Sequence, residues 1–129
     1  MAWGNFLLDV GMDASGAIGK YRLVKYTVAE TVAVCNAITD DPIGVSQFGV
    51  TTNDITRGKG ASVRVHGVSE CEASGAIAVG QRCQLEADGR VKLAVAASGA
   101  RLVGKCVGHP STNAGDRISM LVIQGGALL

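Results

Sequence analysis

Apolar and polar residues alternate with a period of two along short stretches of this chain, and turn residues separate the stretches. The clearest case is residues 61–93, around which the rest is arranged. Val63 and Val65 alternate with Ser62, Arg64 and His66. One face is then apolar and the other polar, which is the mark of a half-buried strand. Gly67 follows as a place for a bend. Residues 81–86 alternate again, with Cys83 and Leu85 on one face and Arg82, Gln84 and Glu86 on the other. Asp88-Gly89 predicts a hairpin with a type I′ turn, and Val91 to Leu93 form the returning strand.

The remaining stretches are shorter. Residues 1–16 read as an N-terminal arm with room for a short strand over 6–10. Residues 20–28 (KYRLVKYTV) predict a strand whose apolar phase shifts between Leu23 and Val24, through a bulge or burial on both faces. Strands are expected over 32–35, 43–48, 102–107 and 117–124. Loops are expected over 36–42, 49–60 and 109–115, and no regular element over 94–100. A faint repeat is present. Ile43-Gly44-Val45, a loop, Gly60 and Val63-x-Val65 are echoed by Val103-Gly104-Lys105, a loop, Gly115 and Ile118-x-Met120. Such a repeat suits two related halves of a small barrel or sandwich.

Composition sharpens this picture. With 129 residues the chain is long enough for one domain, here 17–129 behind the arm. At this size about two thirds of the extended-state surface can be buried. Hydrophobic residues make up 47% but aromatics only 4%, so the core must be Val, Ala, Ile and Leu. Eighteen glycines and two prolines favour short strands and turns over long helices. The fold class expected is mainly β, a small single-domain barrel or sandwich.

The net charge of +1, with basic residues dispersed among acidic ones, argues against nucleic acid and anionic membrane as partners. No stretch approaches the roughly 18 apolar residues of a membrane-spanning helix. A reducing compartment is expected, with Cys35, Cys71, Cys83 and Cys106 as thiols.

Catalytic motifs fail on inspection. Gly99 to Cys106 comes within one residue of a phosphate-binding loop, but ends in Cys106 and lies in a strand pattern. Cys106-x-x-His109 is a lone pair where a zinc site needs two. His66 and His109 lack a nucleophile context. No catalytic residue, metal or cofactor is expected. The candidate functional residues are instead contact residues. Trp3, Asn5 and Phe6 lie in the arm, where Trp3 and Phe6 suit either an interface anchor or a cap on the chain's own core. Arg57 and Lys59 lie at the exit of the longest polar loop.

The layout from about Ala17 to Gln124 resembles the tailed-phage capsid cement, or head decoration, proteins. The segments that carry it are Ile43-Gly44-Val45, Val63 to Val68, Ile77 to Cys83, Asp88 to Val91, Leu102 to Cys106 and Gly115 to Val122. The resemblance implies a compact β domain, made in the host cytoplasm, that decorates the outside of an expanded virion head. It implies a homotrimer at three-fold and quasi-three-fold positions, with the major capsid protein as partner, and no enzymatic activity. The rival reading is a particle-displayed glycan-binding or adhesion module, for which Trp3, Tyr21 and Tyr26 offer a thin aromatic platform.

Overall fold

A computed structural model describes residues 7–124 and 126–129. These form ten strands and one short helix. The strands of the first half are β1 (Leu8–Ala14), β2 (Leu23–Val28), β3 (Thr31–Val34), β4 (Gly44–Ser46) and β5 (Ala61–His66). Helix α1 (Thr52–Thr56) lies between the last two. The second half holds β6 (Val68–Glu72), β7 (Arg82–Leu85), β8 (Val91–Leu93), β9 (Leu102–Cys106) and β10 (Arg117–Val122). The mainly β expectation holds: the first five strands close into a barrel in the order β1-β3-β2-β4-β5, and the others form a sheet ordered β6-β10-β9-β7-β8.

The two halves are the same unit twice. Adding five to each strand number of the barrel gives β6-β8-β7-β9-β10, which is the second sheet with its ring cut between β6 and β8. The barrel is sealed by parallel pairing of Asp13 with Thr31 and Ala14 with Val32. At the cut a single parallel bridge, Ala73 to Val91, survives in the corresponding place. Registers correspond too. Val24, Lys25 and Tyr26 pair with Val34, Ala33 and Val32 as Cys83, Gln84 and Leu85 pair with Leu93, Lys92 and Val91. Met12 faces Ala61 as Cys71 faces Ile118. The faint repeat in the sequence is therefore real, with one correction: Val63 corresponds to Met120, not Ile118, because the loops before β5 and β10 differ in length. A stronger echo marks the same duplication, Asp13-Ala-Ser-Gly-Ala-Ile18 against Glu72-Ala-Ser-Gly-Ala-Ile77.

Gly44 and Gly104 occupy equivalent points and show why a side chain is excluded there. A Cβ on Gly44 would run into the Arg64 carbonyl oxygen, and one on Gly104 would come 2.5 Å from the Leu121 carbonyl oxygen. Both strands cross their neighbour too closely for any other residue.

The phase shift at Leu23 and Val24 is burial on both faces. Val24 points into the barrel with Val32, Val50 and Val63. Leu23 points out of it, into a second core shared with Cys83, Leu85 and Ile118 of the second unit. Cys35 and Val45 join it from the same outer face. This joint is stitched by backbone. Leu23 N donates to Gly89 O at 2.8 Å, and Glu72 N donates to Tyr21 O at 3.2 Å. Arg22 Nη2 adds a 2.7 Å bond to Glu72 Oε2, and Gln124 Nε2 reaches back to the carbonyls of Ile43 and Val65.

Three expectations change in detail. The stretch 1–16 contains β1, whose Val10 and Met12 sit opposite Val63 and Ala61. Ser15 and Gly16 mark the turn after this strand. Residues 1–6 lie outside the described residues. The 49–60 loop contains α1, nucleated by a capping box in which Thr51 and Asp54 bond each other's backbone N–H. The hairpin at Asp88-Gly89 exists, but only Gly89 has positive φ, at 82°. Gly89 N bonds Glu86 O and Glu86 N bonds Arg90 O, giving a type I turn with a glycine bulge. A Cβ on Gly89 would lie 2.7 Å from Val34 Cγ1, so the joint also demands glycine here.

Two predictions follow from the packing. Gly44→Ala and Gly104→Ala will each destabilise the chain by about 1–3 kcal/mol in urea unfolding, the cost of forcing atoms into a packed site. Gly16→Ala and Gly75→Ala, whose Cβ would meet nothing within 4 Å, serve as neutral controls. The second concerns acid. Asp40 Oδ2 accepts bonds from the N–H groups of Asn36 and Ala37, both at 2.9 Å, and from Lys25 Nζ at 3.0 Å. Burial opposes its charge, but these donors outweigh it and hold the carboxyl below its usual range. Its stabilisation is complete above the unfolded value of about pH 4 and is lost as pH falls through the lower folded value. Asp40→Asn will cost about 1–3 kcal/mol at pH 7, and its deficit will shrink as pH falls from the unfolded value of about 4 through the lower folded one.

Candidate functional site

An open groove lies at the mouth of the barrel. Its walls come from Val10 and Met12 of β1, Tyr26 of β2, and Phe48, with Asp13 and Glu30 on the rim. The residue types follow from the strand pattern. Tyr26 continues the inward face begun by Val24, but two residues further along it reaches the open end and is 53% exposed. Its counterpart in the second unit, Leu85, is fully buried because the first unit caps that mouth. Val28 and Glu30, at the tip between β2 and β3, are exposed as well. The alternating pattern does not reveal this patch. An inward-facing residue at a barrel end looks in sequence like any core residue.

Of the contact residues expected from sequence, Trp3, Asn5 and Phe6 lie outside the described residues. Arg57 is the exposed C-cap residue of α1, its N–H shared between Asn53 O and Asp54 O at 3.1 Å. Lys59 sits beside it, with Nζ 3.9 Å from Asp54 Oδ2 and 5.2 Å from the centre of the Phe48 ring. The structure thus brings Lys59 to the edge of the groove through Phe48. Asp54 is held below the usual carboxylate range, chiefly by its bond from the Thr51 backbone, so the acidic member of this cluster stays charged. Of the tyrosines named as an aromatic platform, Tyr21 has Arg117 stacked 4.7 Å and Lys20 4.8 Å from its ring centre, so its faces are already used. Tyr26 remains open.

Of the groups that could carry other chemistry, Glu70, His109, Asp116 and Arg117 line a second open concavity, and the thiols are sealed. Among the described residues no three His, Cys, Asp or Glu side chains come together as a metal cage. Cys106 meets the backbone of His109, with Sγ 3.4 Å from its carbonyl oxygen, and not the imidazole. All four cysteines are buried as free thiols. Burial pushes Cys35 and Cys83 up to about 12 and raises Cys71 and Cys106 as well, so none supplies a thiolate at neutral pH. Among the described residues no helix is long and apolar enough to cross a membrane.

The chain is thus a double five-stranded β unit with one open groove at the barrel mouth and a second, polar concavity lined by Glu70, His109, Asp116 and Arg117. The sequence matches the phage cement protein family over residues 4–122, and the chain belongs to that family. It is therefore a structural, capsid-associated phage protein, a component of the virion. The fold is shared with a solved structure, the head fiber gp8.5 N base of bacteriophage phi29. The TM-score is 0.65 at 16% identity, over 95% of this chain and 98% of that one. No curated protein matches the sequence.

The sealed thiols give a direct check. The native protein will not react with a thiol-specific disulfide reagent on a timescale of minutes at pH 8, and four thiols per chain will titrate after unfolding. Fast labelling of the native state would show that the shared core opens.

Proposed function

We propose that this chain binds the outer surface of the expanded head as trimers at three-fold and quasi-three-fold positions. There it clamps neighbouring major capsid subunits and stabilises the lattice after DNA packaging. The observation that carries this reading is family membership over nearly the whole chain. Physical features support it. The open groove suits a surface partner, since small-molecule sites are usually enclosed. Many identical weak contacts on a lattice combine into strong retention. Synthesis in the host cytoplasm agrees with the four reduced cysteines. Trp3, Asn5 and Phe6, together with Arg57 and Lys59, are the contacts proposed for the shell or for neighbouring copies.

Sedimentation of the purified protein with expanded, undecorated heads tests the reading. Saturable binding at a fixed copy number per major capsid subunit is expected, and absence of binding by folded protein to intact heads would overturn it. If Arg57 and Lys59 face the shell, the double reversal Arg57→Glu with Lys59→Glu will weaken binding by roughly tenfold, about 1.4 kcal/mol. Its thermal midpoint should stay close to that of the parent, because both side chains lie on the surface.

A further inference from the structure

The joint inside the chain uses two different surfaces. The first unit contributes the outer face of its barrel (Leu23, Cys35 and Val45), with Val34 at the edge against Gly89. The second contributes its mouth, lined by Leu85 and rimmed by Glu72 and Gly89. Because the units are duplicates, each surface exists twice. The spare face is on the second unit and the spare mouth is on the first, so the chain carries an unused half of its own joint at each end.

Strand register identifies the spare residues one by one. Leu23 pairs with Val45 as Arg82 pairs with Lys105. Cys35 N bonds Leu23 O as Ala94 N bonds Arg82 O, at 3.0 and 2.9 Å. Val34 corresponds to Leu93, which is 39% exposed. The spare face is therefore Arg82, Lys105 and Ala94, with Leu93 at its edge. In the spare mouth, Tyr26 stands where Leu85 is, Glu30 where Gly89 is, and Asp13 where Glu72 is. Glu30 also keeps the left-handed backbone of Gly89, with φ of 63° against 82°.

The substitutions are complementary. Inside the chain, Leu23 shares a core with Leu85 and its N–H meets Gly89 O. In the same register between two chains, Arg82 would lie over the exposed Tyr26 and beside the Glu30 carboxylate. An apolar contact is exchanged for a cation over an aromatic ring and an ion pair. Lys105 adds positive charge to the face, and Asp13 adds negative charge to the rim. Arg82, Lys105, Asp13 and Glu30 are all exposed. One feature of the mouth must yield. Asp13 N bonds Glu30 O at 2.9 Å, whereas the second unit has opened that seam to admit Tyr21 and Leu23. Insertion exchanges this one backbone bond for two across the new joint.

We infer that copies of this chain associate head to tail by repeating their internal joint, the Arg82–Lys105 face of one copy seating on the Glu30–Tyr26 mouth of the next. The contact joins unlike surfaces, so it closes only as a ring. On the trimer reading above, on which this inference rests, three chains would place six like units in that ring.

Light scattering on the full chain, its Arg82→Glu and Glu30→Arg variants, and the double variant tests this. The parent is expected at the mass of three chains. Each single reversal should fall to the mass of one, and the double, with the pair exchanged, should return to three. Circular dichroism and thermal melting establish that each variant is folded. A monomeric parent, a parent mass unaffected by Arg82→Glu, or a double variant that stays monomeric overturns the inference. Head binding is scored separately on the same samples. Assembly without head binding removes the cement reading and leaves the joint. Head binding by the parent as a trimer indifferent to both reversals removes the joint and leaves the cement reading.

Discussion

The structure depends on the insertion of Tyr21–Leu23 between Glu72 and Gly89. A backbone segment of the first unit takes the place that a sealing strand contact occupies in the barrel. The second unit is left open at that seam and gains the first unit's outer face as a wall. Two hydrogen bonds and a buried Leu23 decide the arrangement. An unpaired buried backbone group costs about as much as a lost hydrogen bond, so neither N–H could be left without its acceptor. The glycine at position 89 follows from the same event, because Val34 lies where its side chain would be.

The joint also explains how charge and apolarity are distributed. Residues at matching points of the two units have the same backbone and different chemistry. Val45 and Leu23 are buried, whereas Lys105 and Arg82 are exposed. Leu85 is core, whereas Tyr26 is surface. Burial decides which member of each pair can be polar, and the joint decides burial. Duplication keeps the frame, and the side chains then diverge according to which surface is covered.

Much of this fold was legible in the alternating pattern, which marked the strands of 61–66, 82–85, 102–106 and 117–122 and the turn at Asp88-Gly89. The double burial at Leu23 and Val24 showed as a break in period, although a bulge would have looked the same. The duplication was partly visible through Gly44 and Gly104. Its register was obscured because loop lengths differ between the copies, and the clearer Ala-Ser-Gly-Ala-Ile echo lies in a turn where no strand pattern draws attention. The groove was not legible. Tyr26, Val28 and Glu30 carry no motif, and their exposure depends on where the barrel ends. The capsid association was legible through the layout of short segments shared with a family, and no individual side chain carried it.

The pairing of β1 with β5 bears on how the chain reaches this state. Met12 must find Ala61, and the parallel contact with β3 cannot be made by a tight turn. Contacts so distant in sequence carry a loop-closure cost before any stabilisation arrives, and they slow folding. The β7–β8 hairpin, by contrast, is local and needs nothing from the first half to form its own hydrogen bonds. During synthesis β1 emerges first and has no antiparallel partner until Ala61–His66 has been made. The first unit to be translated is thus not free to be the first to close, and the apolar side of β1 stays unpartnered for some fifty residues of chain growth, an interval set by the register itself.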